Sequence, residues 1–233
     1  LSDNLKHISF DLWGSLIKSN PEFKKQRALF IYKNYNDNKT LNEIELIIRD
    51  IDLSCNYANE ISGLNISAEE MYGLVLYKIF EGNTMNKKID LKLMMTNIEE
   101  LFFNYPPVLY TEATGSILNQ IKDSNSFTMS ILSNTAFING GLLRIVLNDI
   151  LKISNLFDFQ LYSDELNISK PNQLIFNILY SNTTRIHNNI SKNSIIHVGD
   201  NPIADIQGAN QFGFKSFLIN SNNKSIRDFY LSL

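Results

Sequence analysis

The chain has 233 residues, 44% of them hydrophobic and 19% charged. It is long enough to bury a sizeable core, and too apolar for a disulfide-held mini-protein or a mainly disordered chain. Its 21 Lys and Arg against 24 Asp and Glu leave a formal charge of -3 with no basic block to meet a run of phosphates, so nucleic acid is not an expected partner.

In chain order, His7 to Leu12 reads as a short buried strand that ends at Trp13-Gly14-Ser15 and leaves Asp11 at its carboxyl end. From Pro21 to about Tyr105 the apolar residues recur with helical period, predicting helices over Phe23 to Tyr35, Leu41 to Ala58, Ala68 to Phe80 and Leu91 to Phe103. Thr40 with Glu43, and Ser67 with Glu70, both fit the capping box that opens a helix. Pro106-Pro107 closes this block, because consecutive prolines cannot continue a helix.

After the prolines the sequence predicts helix Thr111 to Lys122, strand Phe127 to Leu132, helix Gly141 to Leu151 and strand Phe159 to Tyr162. Helix Asn172 to Tyr180, strand Ser194 to Val198, helix Ile203 to Phe212 and strand Lys215 to Ile219 follow. Such alternation argues for parallel βαβ units, hence an α/β fold with a doubly wound parallel sheet, interrupted by an all-α insertion after its first strand. The expected division is a core of residues 1–17 and 106–233 with an inserted helical domain of residues 18–105.

Cys55, the only cysteine, excludes an intramolecular disulfide, and no His/Cys cluster has zinc-ligand spacing. No stretch approaches the roughly 18 apolar residues of a membrane span, and Leu1-Ser2-Asp3-Asn4 does not begin a basic-then-apolar leader. A soluble, cytoplasmic protein that does not engage membranes is expected.

Ligands of open parallel sheets bind at the carboxyl ends of strands. Asp11 ends the first strand, Ser133-Asn134 the second, and Gly199-Asp200-Asn201 the fourth with Asp205 beyond, while the loop after the third leads to Lys170-Pro171. Each alone is an ordinary turn or helix cap. Together they place an acid, a hydroxyl, a lysine and two more acids at successive strand ends.

Phe-Asp-Leu-Trp-Gly-Ser-Leu (10–16), Leu-Ser-Asn (132–134), Lys170-Pro171 and His-Val-Gly-Asp-Asn-Pro-Ile-Ala-Asp (197–205) resemble, in order, the four motifs of the haloacid dehalogenase-like (HAD) hydrolase superfamily. The resemblance implies a Rossmann-like core with a type I helical cap in the insertion, and a small-molecule substrate. It implies Asp11 as the nucleophile of a covalent aspartyl intermediate, Ser133 as a partner of a phosphoryl oxygen with the Asn134 backbone amide as helper, and Lys170 as the balancing cation. Ser15, where the family commonly has Thr, is expected to orient Asp11 or cap the turn. In the phosphatase branch Mg2+ is implied, held by Asp11, the Trp13 carbonyl and Asp200. Asp205 would coordinate directly, through water, or only orient Lys170. Hard Mg2+ does favour carboxylate and water oxygens.

Position 13 departs from the phosphatase pattern, which carries a second aspartate there to protonate the leaving group. Indole has no acid or base function near neutrality. Three readings follow: a Mg2+-dependent phosphatase of phosphorylated metabolites that is slow on poor leaving groups, a metal-independent 2-haloacid dehalogenase, or a catalytically weak protein that binds a ligand or partner. An aromatic residue suits the second reading, whereas Asp200 speaks against it. Phosphonate hydrolysis, which needs a cap lysine such as Lys24 or Lys25, ranks last.

On the first insertion helix Arg27 and Lys24 are candidates for reaching an anionic substrate, although a solvated helix face is the expected state of both. Tyr32, Tyr35, Tyr57, Tyr72 and Tyr77 are expected to build the insertion's core and rim. His197, inside an apolar strand, is expected to be a satisfied interior residue, and none of His7, His187 and His197 is given a catalytic role.

Overall fold

Five parallel strands form the central sheet of the computed structural model, which describes residues 4–83 and 89–233. The chain's first three residues, part of the segment read for a leader, lie outside the described residues, as do residues 84–88 of the insertion. The elements run β1 (His7–Phe10), β2 (Ile17–Lys18), α1 (Pro21–Asn34), α2 (Leu41–Ser62), α3 (Ala68–Ile79), α4 (Leu91–Asn104), β3 (Val108–Leu109), α5 (Ala113–Asp123) and β4 (Thr128–Ser133). They continue α6 (Gly140–Ile145), β5 (Phe159–Tyr162), α7 (Ser163–Leu166), α8 (Gln173–Ile186), β6 (Ile195–Gly199), α9 (Gly208–Phe212), β7 (Lys215–Leu218) and α10 (Ile226–Leu231).

The sheet order is β5-β4-β1-β6-β7. The chain winds outward from β1 through β4 to β5, then crosses to the other side for β6 and β7, so the winding direction reverses at β1. That reversal opens a crevice at the carboxyl ends of β1, β4 and β6. All four residues of β1 are buried, and their period of two divides them by face. Phe10 on one face meets Phe157 and Phe229 edge-on at ring-centroid distances of 6.4 and 5.9 Å. His7 and Ser9 on the other face point where Asp11 also points, and Ser9 stands in register with Ser130 of β4 and His197 of β6.

Helices α1 to α4 form the cap over the carboxyl-end crevice, around a core that includes Ile31, Ile44, Met71, Tyr72, Met94 and Phe102. Both predicted capping boxes are formed, Thr40 with Glu43 and Ser67 with Glu70, and Asn20 and Asp90 cap α1 and α4 through their side chains. The antiparallel pair β2–β3 ties the two crossings between cap and sheet. At Gly63, with φ +69°, α2 stops and turns onto the core. Its carbonyl accepts from Ser169 N at 3.0 Å, and a Cβ there would meet Asn172 at 2.8 Å.

Several predicted boundaries are corrected. Helix α2 runs to Ser62, because the left-handed Gly63 and not the polar run after Ala58 ends it. Helix α8 continues past Tyr180 to Ile186, burying Thr183, whose hydroxyl bonds the Leu179 carbonyl. The helices predicted over 141–151 and 203–212 each contain a wide π-turn, at Val146–Ile150 and Pro202–Gln207. Among the described residues no helix is long and apolar enough to cross a membrane.

Candidate active site

At the centre of the crevice lies Lys170, with 1% of its surface exposed. Its ammonium donates to Asp11 Oδ1 at 2.8 Å, to Asp205 Oδ1 at 2.6 Å and to the Leu132 carbonyl at 2.7 Å, so all three donors are used. Burial alone would lower the Lys170 pKa, but Asp11 and Asp205 more than reverse this and raise it. The ammonium is therefore permanent. Asn134, half-buried at the end of β4, grips the lysine's backbone. Its Oδ1 accepts from Lys170 N at 2.8 Å and its Nδ2 donates to Lys170 O at 3.0 Å.

Asp11, the first residue past β1, keeps its strand-like connection through Asp11 N donating to the Val198 carbonyl at 2.8 Å. The Leu12 carbonyl then accepts from both Leu16 N and Ile17 N, closing a tight loop. Gly14 adopts φ +76° there, and a Cβ on it would lie 2.5 Å from Asp200 Oδ2. Within this loop the Ser15 hydroxyl lies 3.0 Å from Asp11 Oδ2 and 3.3 Å from Asp200 Oδ1, so it spans the two carboxylates. Burial raises the Asp11 pKa; Lys170 opposes this, Asp205 and Asp200 reinforce it, and the result is about 7. Asp200, half-buried, is raised too, first by burial and then by Asp205.

Asp205 differs. It comes from the π-turn after β6, where Asn201 O accepts from both Asp205 N and Ile206 N, and the turn folds its carboxylate back over Gly199, where a Cβ would overlap it. Oδ1 receives Lys170 and His197 Nε2, the latter at 3.1 Å, and Oδ2 receives Asn201 N at 2.9 Å. Burial would raise its pKa, but Lys170 and His197 hold it well below the usual carboxylate range. His197 is completed by Ser9 Oγ, 3.0 Å from Nδ1. Burial and then Lys170 lower its pKa, so it is a neutral imidazole that donates to Asp205.

The residues predicted from the sequence thus converge, with one difference in what their groups engage. The Ser133 hydroxyl is fully buried and donates to the Asn134 carbonyl at 3.1 Å. The Asn134 side chain is committed to Lys170. Trp13, half-buried, lines the crevice beside Gly14 and Asp200. Sequence reasoning missed how fully His197 and Asn201 satisfy Asp205; the polar-every-second-residue pattern of His7, Ser9 and Asp11 was the available signal.

Oxygens of Asp11, Asp200 and Asp205 lie within 4.8 Å of one another. Three carboxylates against one ammonium leave a local excess of two negative charges when all are ionised. This donor set fits a hard divalent cation such as Mg2+ at Asp11 and Asp200; Asp205 has its oxygens already engaged.

Above these groups a cavity of about 490 Å3 separates core from cap. The core lines it with Trp13, Asn134, Phe137 and Asp200, and the cap with Phe23, Lys24, Arg27, Asp52, Asn56 and Phe102. Arg27, expected on a solvated face, is instead 7% exposed, while Lys24 is exposed as expected. Of the insertion's tyrosines only Tyr72 is fully buried, and Tyr57 and Tyr77 are exposed on its outside.

The description of the haloacid dehalogenase-like hydrolases matches residues 37–219, a stretch that contains Ser133, Lys170, Asp200 and Asp205 and begins after Asp11. No curated protein is similar to the chain in sequence. Among solved structures, the putative HAD-hydrolase YfnB from Bacillus subtilis bound to magnesium is similar with a TM-score of 0.75 at 15% identity over 99% of both chains. A HAD phosphatase from Thermococcus onnurineus gives a TM-score of 0.65 at 21% identity over 94% of this chain and 88% of its own. The 2-haloacid dehalogenase from Pseudomonas syringae pv. Tomato DC3000 gives 0.62 at 18% identity, over 95% and 89%. Sequence match and fold agree with the order of the four motifs: the chain belongs to the haloacid dehalogenase-like hydrolase family.

Proposed function

We propose that the protein is a Mg2+-dependent phosphatase of small phosphorylated metabolites, with Asp11 as nucleophile. The observation that carries this reading is the Asp11–Asp200 pair, two carboxylates bridged by one hydroxyl with Lys170 alone among the described residues bonded to balance them. A haloacid displacement needs a bare carboxylate and has no use for a second acid beside it, whereas a phosphoryl group brings its own charge to a site that holds a divalent cation.

The Asp11 carboxylate attacks phosphorus as the bond to the leaving oxygen breaks; water then hydrolyses the aspartyl phosphate and restores the carboxylate. Lys170 is a fixed cation at the nucleophile, held by Asp205 from the side and by Asn134 from the backbone, so its charge needs no reorientation during reaction. Ser15 orients the second oxygen of Asp11. The Ser133 hydroxyl at the end of β4 would donate to a phosphoryl oxygen on leaving the Asn134 carbonyl that it bonds in the free protein. Asp11, Asp200 and the Trp13 carbonyl would hold Mg2+, which would supply positive charge beside the nucleophile and the phosphoryl group, and Asp205 is a positioning residue for Lys170.

The test is phosphate release from acetyl phosphate and p-nitrophenyl phosphate, whose leaving groups depart with little help from an acid. Turnover is expected with Mg2+, and it should vanish with chelator and in Asp11→Asn. Failure to release phosphate sinks the reading. Trp13 favours dehalogenation as the second reading, since halide leaves without a proton; chelator-insensitive halide release from 2-haloacids would establish it. Ligand-induced thermal stabilisation without turnover would instead support a binding protein.

A further inference from the structure

Among the described residues Arg27 is the most deeply buried cation of the cap, and its surroundings do not account for it. Its guanidinium stacks over Phe137 of the core at 4.6 Å and over Phe23 of its own helix at 5.2 Å. One nitrogen makes a long 3.4 Å contact to the Tyr72 hydroxyl, and Nε is buried with no hydrogen-bond partner. Among the described residues no carboxylate lies within ion-pair distance of it. Asp52, which also lines the cavity, is the nearby acid: its pKa is raised by burial, with Arg27 and then Lys24 opposing. A buried cation without a bonded counter-charge is costly to the fold, and a planar fork held between aromatic faces is already oriented to grip a planar or tetrahedral oxyanion with two parallel hydrogen bonds.

Arg27 and Lys24 share the cavity with Asp200, Gly14 and Trp13. We propose that Arg27, with Lys24 one turn before it, forms a second anion subsite in the cap wall, so that the ligand of this cavity carries two anionic ends, a phosphoryl group at Asp11 and a carboxylate or second phosphoryl group at Arg27. The proposal rests on the phosphatase reading for the first of these ends. Because Phe137 comes from the core and Arg27 from the cap, such a ligand joins the two parts across the cavity. The anion also becomes the partner of a guanidinium that the protein itself leaves under-satisfied, and competes with Asp52 for its charge.

The experiment measures binding, so it does not depend on turnover. Calorimetry with Mg2+ present compares ω-carboxyalkyl phosphonates of two to five carbons, and the matching α,ω-bisphosphonates, with n-alkyl phosphonates of the same length. At the best-fitting length the doubly anionic ligands are expected to bind wild type at least about tenfold tighter, the scale of one charge-assisted bidentate pair. The preference should collapse in Arg27→Gln, shrink in Arg27→Lys and Lys24→Gln, and grow in Asp52→Asn. A purely structural Arg27 would weaken both ligand types alike and leave their ratio unchanged. The ranking of carboxylate against bisphosphonate decides which oxyanion the subsite takes. Equal affinity of doubly and singly anionic ligands in wild type, a preference that survives Arg27→Gln, or no binding at any length overturns the proposal. The preference together with absent phosphate release would retain the subsite and discard the phosphatase reading.

Discussion

Trp13 and Asp205 are the two residues at which the chemistry of this site is set apart. Under the proposed phosphatase reading, indole in place of a carboxylic acid would leave the departing alkoxide without a carboxylic acid on the loop that carries Asp11. Trp13→Asp should therefore speed hydrolysis of alkyl phosphates more than of p-nitrophenyl phosphate, by about tenfold or more given that general acids contribute about 10²- to 10⁴-fold. A uniform loss across leaving groups would rule out a missing acid as the limitation. Asp205 has both oxygens engaged by Lys170, His197 and a backbone amide, whereas Asp200 meets only the Ser15 hydroxyl among side chains. Asp205→Asn is thus expected to lower kcat with little change in the Mg2+ concentration giving half-maximal rate. Asp200→Asn should raise that concentration at least tenfold, and equal shifts in both variants would make Asp205 a direct ligand.

Elements of the cap were legible because their ends carry local chemistry. The capping boxes at Thr40 and Ser67 satisfy helix N-terminal amides within four residues of sequence, so no distant contact is needed to form them. Thr40→Ala is expected to cost about 1 kcal/mol, read as a lower urea midpoint with unchanged slope. The interior of the sheet was harder. The π-turn after β6 has no sequence signature, yet it sets the direction of Asp205, and it forms because Gly199 leaves room for that carboxylate and Asn201 binds Ile203 N and Ala204 N through its side chain. The end of α2 depends on distant contact: Gly63 is a visible stop, but Asn59 and Glu60 before it read as loop residues until Asn59 is buried and accepts from Ile66 N.

Across the whole molecule a row of bonded polar side chains runs through the interior of the sheet. His7 bonds Thr128 Oγ1 at 2.7 Å and Ser130 Oγ at 2.9 Å, Thr128 reaches His187 at 2.7 Å, and Ser9 reaches His197 and through it Asp205. Burial, with His187 adding to it, lowers the His7 pKa to about 3. Below an unfolded value of about 6.5 the unfolded chain binds a proton that the folded chain refuses. The stability from His7 is therefore complete above that pH and is lost as pH falls toward about 3, at up to about 1.4 kcal/mol per pH unit. Asp11, raised to about 7, contributes the opposite slope over part of the same range. The contribution of His7 is accordingly the difference between wild type and His7→Gln in urea denaturation at several pH values. A smaller loss of stability on acidification in the variant is expected, and parallel curves would show that His7 is protonated in the folded protein.

The sequence by itself determined the order of strands and helices, the insertion after the first strand, and the identity of the groups that meet at the strand ends. Each of these depends on short-range pattern: alternation in a strand, apolar period in a helix, a cap or turn residue at a boundary. Only the tertiary structure decided what those groups do to one another. It gave Lys170 to Asp11 and Asp205 at once, set the Asn134 side chain on the lysine backbone, and left Asp200 beside Asp11 with a single hydroxyl between them. It also buried Arg27, because Phe137 arrives from a loop more than a hundred residues away to cover a helix face that is solvated when α1 is read alone. Helical period reports which residues share a face, but burial depends on what packs there, and that is settled only when distant parts of the chain meet.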